Sequence, residues 1–400
     1  MGDPVAFATP GRAWPDTVTA AVRAFRVVPA TAAARPFGGS AGDRRGEGAP
    51  GAAGSGPRLA DVSVLTASWV DRRPGCRQCD QMGKVEETRD GVALTNLSQP
   101  LFDGAGATKR DLVNYLDAVR DRILPHLRER PLSVMRVRPG QPPFMQKNLP
   151  KYTPDWVPRT AVWAAASHRE ISYALCGDRR TLLWLANQRA VEFHPTLATV
   201  AALQCPTHLV LDLDPPEGAP FEVAVAAALL VRRALAGAGL AGAVKTSGAK
   251  GVHVFVPVAA EATAEELAAA TRALALRAAR LDPDLATTAF IREDRSGKVF
   301  IDSTRAGGAT VVAAYSPRLR PGVPVSFPVP WDLLPSVTPT DFTIQTVPAL
   351  VAAADPWADG MPTAQRLPAD LIVEGRTIPV ARVQAMQEGK RRARARRAAG

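Results

Sequence analysis

The run His208 to Gly218, HLVLDLDPPEG, constrains this 400-residue chain more than any other segment. It is rich in strand-forming residues and is halted by Pro215 and Pro216, which reads as a strand ending at a turn. Side chains alternate along a strand, so Asp212 and Asp214 share one face while Leu211 and Leu213 share the other. The leucines mark a core. The aspartates pose an electrostatic problem, because adjacent carboxylates repel and burying them without partners is costly. A pair of divalent cations about 3.5–4 Å apart resolves that repulsion and activates a hydroxyl for phosphoryl transfer. Two acids merely solvated at a strand end are the alternative that this segment alone leaves open.

The surrounding chain alternates helix and strand patterns. Thr108 is suited to cap a helix through about Arg128, with Leu112, Val113, Leu116, Val119, Ile123 and Leu127 on one stripe. Helices are also expected over residues 178–189, 220–237 and 262–279, and strands over 132–138, 243–246, 251–257, 298–302 and 310–315. Strands interleaved with helices, some of the strands adjacent, predict an α+β fold in which helices cover a sheet.

Two of these segments carry further chemistry. In KTSGAKGVHVFVP, Gly248 and Gly251 flank a tight turn surrounded by Ser247, Lys250 and His253. Such a turn offers backbone N–H groups and a cation to a triphosphate, although the Gly-Lys-Ser/Thr order of a Walker loop is absent from the chain. His253 is equally readable as an ordinary half-buried strand residue. In KVFID, Asp302 ends an apolar run as Asp212 does, and a sheet can bring the three acids together. Three carboxylates make an oxygen-rich site suited to magnesium or manganese.

The net charge of +11 is concentrated at the ends. Residues 1–85 hold 11 basic and 7 acidic groups, and residues 381–400 hold 7 and 1. Within the nearly neutral body, residues 105–159 hold 11 basic and 5 acidic groups. That local surplus fits a face for nucleic acid, or equally an ordinary solvated helix. The Ala/Gly/Pro/Arg-rich leader over 1–85 is expected to be disordered, with a working start near Met82. Its Cys76 and Cys79 lack the second ligand pair of a structural zinc site. Cys176 and Cys205 are expected in the core. No apolar run is long enough to span a bilayer, and no secretory signal is evident, so a cytoplasmic, nucleoid-associated protein is expected.

The ordered series LTNLSQPLF, GATKRDLVNYL, FMQKNLPKYTPDW, LLWLANQRAVEFHP, HLVLDLDPPEG, KTSGAKGVHVFVP, KVFID and VVAAYSPRLRPG resembles the polymerase domain of bacterial ligase D, of the archaeo-eukaryotic primase superfamily. The resemblance implies an RRM-like catalytic core over 86–345 and a C-terminal extension over 346–400. It implies that Asp212, Asp214 and Asp302 ligate Mn2+ or Mg2+, that Ser247, Lys250, His253, His194 and Arg318 hold the nucleotide, and that Lys109, Gln99, Phe144 and Lys147 face DNA. The implied activity is template-dependent primer extension from NTPs or dNTPs at gapped or broken DNA ends. The implied partners are a Ku-type end-binding protein and a separate ligase. The loop STRAGGAT after Asp302 departs from the family's run, Met135 stands where a lysine is common, and Gln99 replaces one of two phosphate-reading lysines. Two rivals remain at this point: a DNA-end-binding scaffold that keeps the fold with little catalysis, and a metal nuclease built on the same acids.

Overall fold

The computed structural model describes residues 85–164, 168–306, 309–352 and 354–380. The expected disordered leader as far as residue 84, the Cys76–Cys79 pair, the proposed start near Met82 and the basic segment after 380 lie outside these residues. A hairpin comes first, β1 (Val85–Arg89) and β2 (Val92–Thr95), turned through Asp90 and Gly91 in left-handed backbone. Two helices then stand where one was expected, α1 (Lys109–Ala118) and α2 (Arg120–Leu127). Thr108 and Asp111 form a reciprocal capping box at the start of α1. Val119 leaves helical geometry at φ −98° and ψ 10°, and the Arg120 guanidinium takes up the Asp117 carbonyl at 2.7 Å. The apolar stripe survives this break, because Leu112, Leu116, Ile123 and Leu127 are all fully buried.

One sheet is built from β3 (Leu132–Arg138), β4 (Gln141–Gln146), β5 (Arg159–Ala164), β6 (Arg169–Ala174) and β7 (Ala190–Pro195). β3 pairs antiparallel with β4 and β7 and meets β6 at Leu132, and β5 pairs with β6. Between β6 and β7 lies α3 (Arg179–Asn187), opened by Asp178, whose carboxylate accepts the Thr181 N–H at 2.8 Å.

The second sheet contains β8 (His208–Asp214), β9 (Ala243–Thr246), β10 (Val252–Pro257), β11 (Ala286–Thr287), β12 (Val299–Asp302) and β13 (Pro328–Val329). Its spatial order is β11-β12-β8-β10-β9-β13, antiparallel except where β11 meets β12. Helices α4 (Phe221–Gly237) and α5 (Ala264–Leu281) pack through alanine-rich faces that include Ala224, Ala227, Ala228, Ala270 and Ala273. The segment expected as a strand over 310–315 belongs to neither sheet as a named strand. It runs beside β7 through the bonds Val311 N–H to Pro195 carbonyl (3.3 Å) and Ala313 N–H to Phe193 carbonyl (2.9 Å).

Residues after 346 return to the same core. Val347 and Leu350 of α6 (Val347–Leu350), Trp357 of α7 (Pro356–Gly360) and Leu371 of α8 (Ala369–Thr377) are buried in it. A Cβ on Gly375 would stand 1.8 Å from the Ala269 carbonyl oxygen, so α8 seats on α5 only with glycine there. Cys176 is buried and Cys205 is partly exposed, both as free thiols. Among the described residues, no helix is long and apolar enough to cross a membrane.

Candidate active site

A single row of polar side chains crosses the second sheet. Asp302 on β12 pairs with Asp212 on β8, Asp212 with His253 on β10, and His253 with Lys245 on β9. Residues directly opposed across antiparallel strands point to the same side. The four groups therefore face one way, and Asp214, two residues beyond Asp212, joins them.

Hydrogen-bond logic fixes the protons along this row. Arg305, just past β12, places Nη2 2.7 Å from Asp212 Oδ2 and 3.2 Å from Asp302 Oδ2. His253 Nε2 lies 3.2 Å from Asp212 Oδ1, and Lys245 Nζ lies 2.8 Å from His253 Nδ1 and 2.5 Å from Ser326 Oγ. Two cations are incompatible at 2.8 Å, so Lys245 donates to Nδ1 and the neutral imidazole donates Nε2–H to Asp212. Burial and then Lys245 hold the His253 imidazole down at about 4. Burial, with Arg318 nearby, holds the fully buried Lys245 ammonium well below its ordinary range. For Asp212 burial opposes the charge, but the His253 and Arg305 contacts outweigh it and keep the carboxyl low. With His253 neutral, the charge behind that effect is the Arg305 guanidinium. Asp214 receives neither contact, and burial together with Asp212 pushes its carboxyl up.

Beyond β9 the chain turns sharply. Gly248 has φ +68°, and a Cβ there would stand 2.7 Å from Arg318 Cγ and 2.8 Å from Ser326 N. A Cβ on Gly251 would stand 2.3 Å from the Leu213 carbonyl oxygen. Ser247 Oγ accepts from the Ala249 N–H (3.2 Å) and the Gly251 N–H (3.1 Å), which leaves its own proton free to donate. Lys250 is exposed, with Nζ on the Pro215 carbonyl at 2.9 Å.

The first sheet supplies the facing groups. On β7, Glu192 Oε2 lies 2.8 Å from His194 Nε2, while Oε1 lies 3.1 Å from Arg318 Nε and accepts the Leu319 N–H at 2.9 Å. Arg318 also donates from Nη1 to the Ser247 carbonyl, which ties β7 to the glycine turn. Tyr315, just upstream, holds a left-handed backbone at φ +65°, a strain of roughly 1–2 kcal/mol. It is pinned by the Tyr115 hydroxyl on its carbonyl (2.8 Å) and by its own hydroxyl on Asp355 (2.5 Å).

The residues expected to face DNA divide into two groups. Phe144, on β4, lies under Arg138 at 4.8 Å and Arg136 at 5.8 Å from its ring centroid, and Lys147 is exposed just beyond. Lys109, by contrast, is only 3% exposed, with Nζ on the Thr95 carbonyl at 2.5 Å, and burial followed by Arg189 lowers it to about 8. Gln99 accepts from Arg189 Nη2 at 2.5 Å, and both line a cavity of about 590 Å³ together with Phe102 and Arg138. Much of the basic surplus over 105–159 is consumed internally: Arg110 pairs with Glu87 at 2.8 Å, and Arg130 donates to the Leu197 carbonyl at 2.6 Å.

Sequence reasoning passed over Lys245, Arg305, Glu192 and Arg189. Alternation did offer a signal for Lys245, which lies two residues before Ser247 and hence on the same face. Arg305 sits in a single 3-10 turn after β12 that no sequence period marks, and Glu192 and Arg189 meet their partners only through chain topology.

The second sheet thus carries an acid–imidazole–amine row, faced from the first sheet by Glu192 and His194 with Arg318 between them. The family model for "LigD, primase-polymerase domain" matches residues 108–357. The chain belongs to that family. It is 36% identical over 294 residues to the bifunctional non-homologous end joining protein LigD of Bacillus subtilis, covering 72% of this chain and 47% of that protein. It is 31% identical over 286 residues to the multifunctional LigD of Pseudomonas aeruginosa, covering 70% of this chain and 34% of that one. The chain thus spans about half the length of the first relative and a third of the second. The polymerase domain of Mycobacterium tuberculosis ligase D, solved in complex with DNA, superposes with a TM-score of 0.61 at 28% identity, over 72% of this chain and 99% of that one.

Proposed function

We propose that this protein extends a primer 3′ hydroxyl by template-dependent, metal-dependent nucleotidyl transfer at DNA ends under repair, releasing pyrophosphate. The observation that carries the reading is the row Asp302–Asp212–His253–Lys245, with Asp214 alongside. Of three carboxylates on one face, Arg305 bridges Asp212 and Asp302 and makes no ion pair with Asp214, so the cluster is left short of positive charge. Among the described residues no three His, Cys, Asp or Glu side chains are grouped as ion ligands with Arg305 seated on two of them. The donor chemistry nonetheless suits hard divalent ions, and Asp212, Asp214 and Asp302 would hold Mn2+ or Mg2+. Such ions, when bound, supply an activated hydroxyl and charge stabilisation for the phosphoryl transfer.

The chain's own groups do the rest. His253 keeps its Nε2 proton on Asp212 and fixes that carboxylate's orientation, while Lys245 fixes the tautomer of His253. The Ser247 hydroxyl, Lys250 and Arg318 present donors to a triphosphate. Phe144, under Arg138, offers a face on which a base stacks. A scaffold or a nuclease gains nothing from the donor-lined turn at Ser247–Gly251. The deciding experiment incubates the protein with a labelled primer on a template, manganese or magnesium, and ribo- or deoxyribonucleotides, then resolves the products by length. Elongation by defined steps is expected. Primer shortening, or no change with either metal, would discard the reading.

A further inference from the structure

Glu192 touches no member of the carboxylate row, yet the facing half of the site is assembled on it. Its side chain is 9% exposed, and its two oxygens serve His194, Arg318 and the Leu319 N–H. An ionised carboxylate only accepts hydrogen bonds, so a neutral His194 presents its N–H at Nε2 and a bare lone pair at Nδ1. Nδ1 makes no hydrogen bond to protein among the described residues. Facing the ring are Glu192 on its own strand, Arg318 from the loop after Tyr315, Lys245 from β9 and Ser133 from β3. Ser133, paired with His194 across the strands, has a buried Oγ without a protein partner. Burial lowers the His194 imidazole, with Arg318 and Lys245 adding to that and Glu192 opposing it.

In that tautomer the ring turns a lone pair toward any phosphate oxygen that approaches Nδ1, and two acceptors repel. A proton at Nδ1 converts repulsion into a charge-assisted hydrogen bond. We propose that Glu192 is a positioning residue that makes nucleotide binding take up a proton: as a triphosphate oxygen reaches His194 Nδ1, one proton passes from solvent to Nδ1, and the imidazolium is held between the Glu192 carboxylate and the phosphate. The inference rests on the reading of this site as a triphosphate pocket. The same carboxylate aligns Arg318, so a single anion orients two cations. The linkage operates between the depressed pKa of the free ring and the raised pKa of the bound one. In that interval affinity is greatest at the acid end and is lost as pH rises.

The test is calorimetric titration of the full chain with ATP and magnesium, between pH 7 and 8.5, in buffers of different ionisation enthalpy. Wild type is expected to take up about one proton per ATP and to lose affinity by up to about tenfold per pH unit. In Glu192→Gln the amide donates to Nε2, the neutral ring switches to Nδ1–H, uptake falls close to zero and the pH profile flattens. His194→Gln should flatten it likewise, and Glu192→Asp should retain the uptake. Uptake undiminished in Glu192→Gln and His194→Gln, with ATP still bound, overturns the inference and leaves the pocket reading standing. Wild-type protein that binds no ATP removes the pocket reading and the inference with it.

Discussion

The two sheets handle charge in opposite ways. In the second sheet every titratable group of the row is buried beside a partner: Asp302 and Asp212 share Arg305, Asp212 takes the His253 proton, and His253 takes one from Lys245. In the first sheet, β4 leaves Phe144 only partly covered and Lys147 exposed, with Arg138 resting on the aromatic face. One surface holds its donors fixed in place, which on the proposed function suits reacting groups because no rearrangement is needed. The other is open and adaptable, as binding a flexible strand requires. Glu192 and Arg318 join the two. On the proposed function, chemistry and recognition are therefore expected to separate by mutation, and the separation can be measured.

The sharpest cut is Asp302→Asn. It should slow primer extension about 10³-fold or more, roughly 4 kcal/mol in the barrier. Affinity for gapped DNA, expected to come mainly from phosphate contacts elsewhere, should change by less than about threefold. Parallel losses of both in rate and binding assays would erase the contrast between the sheets.

Acid should attack the seam between them. His126 and His208 line a cavity of about 130 Å³ between β7 and β8, and burial holds them at about 4 and about 3, against 6.5 when exposed. The unfolded chain binds protons below pH 6.5 that the folded chain refuses, so stability is full above that point and falls as pH drops toward 4. The expected loss by pH 5 is about 2 kcal/mol for each histidine. Denaturant melts at pH 7.5 and pH 5 measure it, and His126→Phe should remove its share.

Gly251→Ala tests the rigid sheet alone. With the Leu213 carbonyl 2.3 Å from the new Cβ, β8 and β10 must separate. A loss of about 2 kcal/mol in stability is expected, with extension falling further than DNA binding. Phe144→Ala is the reciprocal change: about 1–2 kcal/mol in DNA affinity, with little effect on turnover at saturating DNA. The smallest effect concerns a 5′-phosphate across a gap. Arg189 lines the cavity beside Gln99, whereas the Lys109 ammonium is turned onto Thr95. Arg189→Met should therefore reduce the preference for phosphorylated ends by about 1 kcal/mol, and Lys109→Met should leave it within about twofold. The opposite ranking would return that role to Lys109.

How legible each sheet was follows from the same contrast. β8, β9 and β10 announced themselves because apolar residues alternate or run together between Gly and Pro stops, and the alanine-rich helices covering them carry a helical period. β4 reads QPPFMQ, with two prolines and no buried residue, which only an edge strand tolerates. β7 reads AVEFHP and buries Glu192 because Arg318, 126 residues later, meets it there. The 310–315 run looked like a strand and makes two bonds to β7 without joining a ladder. Alternation put Asp212 and Asp214 on one face, Asp302 stood out at the end of its own apolar run, and only the family resemblance gave the three a common role. Lys245 shares a face with Ser247 by the same alternation, whereas Arg305 and Glu192 take their meaning from Asp212 and Arg318, far away in the chain.

The mutual compensation within the row also shapes how such a protein drifts. Replacing Asp212 alone leaves Arg305 with Asp302 only and takes the acceptor from His253, and replacing Lys245 alone leaves His253 without its donor. Each single step leaves an unsatisfied buried group behind, a defect of about 3–5 kcal/mol against a typical total stability of about 5–15 kcal/mol. Neutral change across the row must therefore proceed by coupled substitutions. A descendant that kept the fold as an inert end-binder would carry its history in the sequence: Asp212, His253 and Lys245 would vanish together more often than singly.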